Sequence, residues 1–135
     1  MFLTLKLIAF LLIYPAWAAP GKSHCQMYVR YCVQTLWGHK YDQYHKATAD
    51  ASARAWMKSP YYVNPKRGSV PSDICYWFGT PGNPAGHVAI RVTSNKYAEN
   101  STVHYPGAHF GKGWRDVRNV RPPDMLVRIP GRYVF

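Results

Sequence analysis

The sequence predicts an α+β domain in which N-terminal helices pack on a small antiparallel β-sheet. Two observations carry this reading. Between residues 23 and 58 apolar and alanine side chains recur at helical spacing, whereas from residue 73 onward short β-branched and aromatic runs alternate with glycine and proline. Helices first and strands after is the order expected when an apolar helical stripe covers one face of a sheet.

The start of the chain reads as a leader. Lys6 precedes the unbroken apolar run of residues 7–14, and Pro15 then leads to Ala16-Trp17-Ala18, with small residues where a signal peptidase inspects the chain. Cleavage is expected after Ala18, giving a signal peptide at 1–18 and a single domain at 19–135. The apolar stretch 7–19 falls short of the roughly 20 residues that a spanning helix needs, so no transmembrane span is expected after cleavage. The expected location is secreted or extracytoplasmic.

The first mature helix is expected over residues 23–37. Cys25, Val29, Cys32, Val33 and Leu36 form one stripe, Ser23 and Gln26 match a capping box, and Gly38 lies where a helix would stop. A tyrosine-rich loop over 38–45 leads to a second helix over 45–58, dense in alanine, which Pro60 ends. Strands are expected at 73–78, 87–93, 101–105 and 125–129. Residues 79–86 and 106–113 read as hairpin connections, and the arginine-rich stretch 114–121 as a surface loop.

The formal charge is +11, with 17 Lys and Arg against 6 Asp and Glu, and loss of Lys6 with the leader takes it to +10. Such a field favours anionic partners, and for an exported protein an acidic cell wall or another anionic cell-surface polymer, or an acidic membrane face, is expected rather than stable nucleic-acid binding. A monomer is expected. Three cysteines and six histidines carry no Cys-x-x-Cys or His-x-x-x-His spacing, so neither a metal site nor a cofactor is expected. An odd cysteine count leaves one thiol without an intramolecular partner. Cys25 and Cys32, two turns apart on one helix, are too distant to bridge, which leaves Cys32 with Cys75, Cys25 with Cys75, or three free thiols.

Two segments 62 positions apart hold the chemistry. Cys25 opens the first helix, where unpaired backbone N–H groups and the helix dipole favour a thiolate and can also donate to the oxyanion of an acyl-transfer intermediate. His87 opens the apolar strand Gly86-His87-Val88-Ala89-Ile90, where its ring can project from the sheet end toward the helix start as a base. A third group must orient the imidazole. His104, at the far end of the next expected strand, is the first choice for that role, with Asn100, Glu99 and Asp73 as competitors.

The order of a cysteine, an alanine-rich helix, Pro71-Ser72-Asp73-Ile74-Cys75-Tyr76-Trp77 and Gly86-His87-Val88-Ala89-Ile90, followed by a polar residue on the next strand, resembles the CHAP and NlpC/P60 superfamily of papain-like cysteine amidases and endopeptidases. The likeness is greatest to the peptidase domains of phage endolysins and secreted wall hydrolases, and it covers about residues 23–129. It implies a papain-like fold and hydrolysis of peptidoglycan amide bonds, with Cys25 as nucleophile, His87 as base and His104 as the third residue. Two positions depart from the pattern: Val103 stands where some members carry an acid, and Cys75 where an aliphatic residue is usual. With helix one packed on the sheet, a Cys32–Cys75 disulfide is expected, leaving Cys25 reduced. The alternative function is a non-catalytic basic secreted protein, a wall- or surface-binding module or a toxin on the same fold.

Overall fold

A computed structural model describes residues 25–100 and 112–131. The expected signal peptide, Ser23, the strand expected at 101–105 and His104 lie outside the described residues. The described chain is α+β, with two α-helices and a six-stranded sheet whose neighbours all run antiparallel. In chain order the elements are α1 (Cys25–Trp37), α2 (Ala49–Met57), β1 (Tyr62–Val63), β2 (Ile74–Trp77), β3 (His87–Thr93), β4 (Lys96–Asn100), β5 (Lys112–Asp116) and β6 (Met125–Val127). Across the sheet they lie in the order β1, β6, β2, β3, β4, β5.

Helix α1 buries Cys25, Val29, Cys32 and Val33 of the stripe its spacing predicts, with Leu36 partly buried and Tyr28 added, and lays it across β3 and β4. Gly38, at φ +78°, closes the helix by donating its N–H to the Gln34 carbonyl at 2.9 Å. One detail of the expected capping box differs, because the Gln26 side chain turns into the core to meet His45 and Tyr76.

Helix α2 starts at Ala49, later than the expected residue 45. The Thr48 hydroxyl accepts the Ala51 N–H at 3.1 Å, while the Lys46 N–H goes to Ser52 Oγ at 2.6 Å, so the preceding residues are held extended as a cap.

Period-two alternation gives the sheet two buried faces. Ile74, Tyr76, Val88, Ile90, Val92, Ala98, Met125 and Val127 join α1 and α2 in one core. Cys75, Trp77, Ala89, Tyr97 and Leu126 form a second, smaller core on the other face, closed by Val63, Val117 and Val120. The expected Cys32–Cys75 bridge is therefore corrected: none of the three buried cysteines is in a disulfide, because Cys32 sits in the helix-side core and Cys75 points to the opposite face of the sheet.

Other boundaries also move. Residues 93–96 form a tight hairpin, with Thr93 opposite Lys96, so the next strand is β4 at Lys96–Asn100 rather than one beginning at 101. The arginine-rich stretch expected as a surface loop is instead strand β5 followed by a 3-10 turn, Val117–Asn119, and residues 112–113 of the expected hairpin connection belong to β5. The stretch after Pro60 contains β1, which pairs with β6 at the edge of the sheet. Among the described residues no helix is long and apolar enough to cross a membrane.

Candidate functional site

Three elements converge at one end of the β2–β3–β4 ladder. Cys25 is the first described residue of α1, His87 the first residue of β3, and Glu99 lies near the end of β4. The β2–β3 connection over residues 79–86 behaves as the expected hairpin and ends on Gly86, whose φ of +71° releases the chain into β3. A Cβ on Gly86 would meet the Trp77 carbonyl oxygen at 2.6 Å and the Asp50 nitrogen at 3.2 Å, so only glycine lets the strand start this close to α2 and β2. Asp50 itself braces the turn, accepting the Gly79 N–H at 2.8 Å, while its own N–H goes to the Ala85 carbonyl at 2.8 Å.

His87 pairs with Trp77 across the ladder, their ring centroids 5.5 Å apart. Its Nε2 lies 3.3 Å from Glu99 Oε2, with both side chains nearly sealed from solvent. His87 is also joined to Cys25 by a side-chain hydrogen bond.

The electrostatics of the pair follow from this arrangement. Burial pushes the Cys25 thiol up, but the hydrogen bond and charge of His87, with the backbone N–H groups of Val88 and Gln26, outweigh it and leave the thiol below its ordinary value. Burial alone would lower the His87 imidazole; contacts with Cys25 and Glu99 raise it instead, to about 9. The two shifts have opposite signs and a shared origin, a thiolate and an imidazolium stabilising one another. A positive ring between sulfur and a carboxylate is the arrangement that keeps a thiolate ready at neutral pH.

The sulfur opens on a pocket of about 110 Å³ lined by Cys25, Gln26, Met27, Ala47, Thr48, Ala49 and Ala85. The start of α1, the cap of α2 and the end of the 79–86 hairpin thus meet beside Cys25, with Ala47, Ala49 and Ala85 supplying short side chains.

The candidates of the sequence divide accordingly. Cys25 and His87 are brought together. Glu99, a competitor for the third role, stands against His87. Asp73 is committed elsewhere: fully buried at the opposite end of the β2–β3 ladder, it accepts Arg128 Nε at 2.9 Å and Nη2 at 2.8 Å, and also the Val70 N–H at 2.9 Å. Asn100 ends β4. The signal for Glu99 lies in the alternation Tyr97-Ala98-Glu99, which puts Glu99 on the face of Tyr97 once the turn is assigned to residues 94–95. Sequence reasoning places Gln26 only in a capping box and does not single out His45; the two share a buried hydrogen bond next to the first turn of α1. Among the described residues no cluster of three or more His, Cys, Asp or Glu side chains is arranged to hold a metal ion.

Compared with known protein families and with curated proteins, the chain matches no family model and no curated protein.

Proposed function

We propose that the protein is a secreted cysteine hydrolase of papain-like fold that cleaves amide bonds in bacterial peptidoglycan, with Cys25 as nucleophile, His87 as base and acid, and Glu99 orienting His87. The observation that carries this reading is the chain of contacts from Cys25 through His87 to Glu99, nucleophile, base and orienting group in sequence at the mouth of a pocket. Buried structural cysteines are pushed toward the neutral thiol, as Cys75 is here by burial and by Asp73; Cys25 is buried as well, yet is driven the other way.

In the proposed reaction the Cys25 thiolate attacks the amide carbon, and backbone N–H groups at the start of α1 donate to the oxyanion that forms. The His87 imidazolium gives its proton to the leaving amine as the C–N bond breaks, leaving a thioester on Cys25. His87, now neutral, takes a proton from water as it attacks the thioester, and release of the acid restores the ion pair.

Support for the substrate class comes from two features. The walls contributed by Ala47, Ala49 and Ala85 suit short side chains, such as the alanines of stem peptides, and the formal charge of +11 suits adsorption to an acidic wall polymer.

The test is incubation of the purified mature protein with peptidoglycan, identification of released fragments, and comparison with Cys25→Ala. The expected result is fragment release that the substitution abolishes while the circular dichroism spectrum and thermal midpoint stay close to wild type. Lysis retained by a folded Cys25→Ala protein overturns the reading and favours a wall-binding module.

A further inference from the structure

The first turn of α1 carries a second buried polar side chain next to the thiol. Gln26 is only 5% exposed, and its amide is held at both ends: Nε2 donates to His45 Nδ1 at 2.9 Å, and Oε1 accepts from Tyr76 Oη at 3.3 Å. Trp56 and Ser52 of α2 lie beside the Tyr76 hydroxyl, and Ser52 Oγ accepts the Lys46 N–H at 2.6 Å. The His45 ring stands edge-on to Trp56, with centroids 6.0 Å apart. A single amide therefore ties together α1, His45 and β2.

An apolar side chain of similar volume would fill the same space with no hydrogen-bonding demand, whereas a buried amide left unpaired is destabilising. What the amide adds is direction. Two-point attachment sets the rotation of the first turn about the helix axis, and the backbone N–H of this same residue donates to the Cys25 sulfur.

We propose that Gln26, clamped between His45 and Tyr76, is a positioning residue that holds the first turn of α1 so that the Cys25 sulfur meets both the Gln26 N–H and the His87 ring. The effect on turnover rests on the cysteine-hydrolase reading; the effect on thiol ionisation does not. Cys25 faces His87 and the Val88 N–H from β3 and Tyr76 from β2. His45 faces Arg30 from α1, Asp42 from the 3-10 turn Asp42–Tyr44, and Trp56 from α2. Burial holds His45 down to about 4, so the clamp keeps its neutral acceptor throughout the range in which the thiol is assayed.

The test is the rate of iodoacetamide modification of Cys25 against pH in the full-length mature protein, in Gln26→Met and in Tyr76→Phe, with thermal midpoints and fragment release recorded alongside. Both variants are expected to move the acid limb of the modification curve up by about half to one pH unit, as loss of one or two hydrogen bonds to the clamp implies. Turnover is expected to fall about tenfold with KM little changed. Tyr76→Phe removes a single oxygen atom from a packed ring and remains decisive even where Gln26→Met fails to fold. Curves that superimpose on wild type while thermal midpoints drop would mark the clamp as structural and overturn the proposal. Should Cys25→Ala retain lysis, the hydrolase reading falls while the modification curves still judge the clamp; should Cys25→Ala abolish lysis with the curves superimposed, the clamp alone falls.

Discussion

Glu99 Oε2 lies 3.3 Å from His87 Nε2 in a setting where neither side chain is more than 5% exposed. A carboxylate this deeply buried is stable only against a positive or donating partner. The same contact holds the ring that bonds Cys25. Support for the base and stabilisation of the acid are thus one interaction, reached because β4 returns beside β3 through a two-residue turn.

Glu99→Ala is expected to lower the rate of fragment release by about 10²-fold or more, a loss typical of removing the group that orients a general base. Glu99→Gln keeps the volume without the charge and is expected to fall between. Turnover measured side by side for Glu99→Ala and His104→Ala distinguishes the two candidates for this role, with the larger loss expected at Glu99. A larger loss at His104 would reverse the assignment.

The pH profile follows from the signs of the two shifts. Cys25 is lowered from its ordinary value, so the thiolate is lost as pH falls through that lowered value. His87 is raised from 6.5 to about 9, so its proton, and the stability that the raised value confers, is fully present below 6.5 and lost as pH rises through about 9. Hydrolysis should trace a plateau across neutral pH with an alkaline limb near 9, whereas iodoacetamide modification, which needs only the thiolate, should show the acid limb without that alkaline decline. In Glu99→Gln the alkaline limb is expected to move to lower pH. An unmoved limb would mean that the carboxylate does not stabilise the imidazolium.

Gly86→Ala tests how the hairpin delivers His87. With φ at +71° and the Trp77 carbonyl oxygen 2.6 Å from the added carbon, the substitution forces backbone to shift. A destabilisation of about 1–3 kcal/mol is expected by chemical denaturation. Turnover of the remaining folded protein should fall as well, because His87 is the next residue.

Asp73→Ala provides the opposite control. It leaves the half-buried Arg128 guanidinium without its two-point partner, for which a loss of about 3 kcal/mol in stability is expected. The salt bridge sits at the far end of the β2–β3 ladder from His87, so the pH dependence of Cys25 modification should match wild type. A displaced curve would show coupling between the two ends of the sheet.

Much of this arrangement is legible in the residues because local patterns speak for themselves. The α1 stripe, the alternation of β2 and the motif Gly86-His87-Val88-Ala89-Ile90 each announce an element from a few neighbouring side chains, and His87 begins its strand where that motif places it. What escapes are choices settled by partners distant in the chain. Thr48 ends a promising helical run because its hydroxyl finds the Ala51 N–H, a competition that alanine content does not reveal. Strand β5 reads as a charged loop because its apolar content is slight, and it becomes a strand by pairing with β4. The Cys32–Cys75 bridge is reasonable only while the facing of Cys75 is unknown; the parity of β2, with Ile74 and Tyr76 turned to the helices, excludes it. Glu99 is passed over for the same reason, since its facing depends on which two residues make the preceding turn.

That parity also governs how the domain responds to its surroundings. With Cys32 and Cys75 separated by the thickness of a β-layer and each packed among apolar neighbours, nothing in the fold waits for an oxidant. Reducing agents have no Cys32–Cys75 crosslink to break, so they should leave the melting temperature unchanged while keeping Cys25 competent.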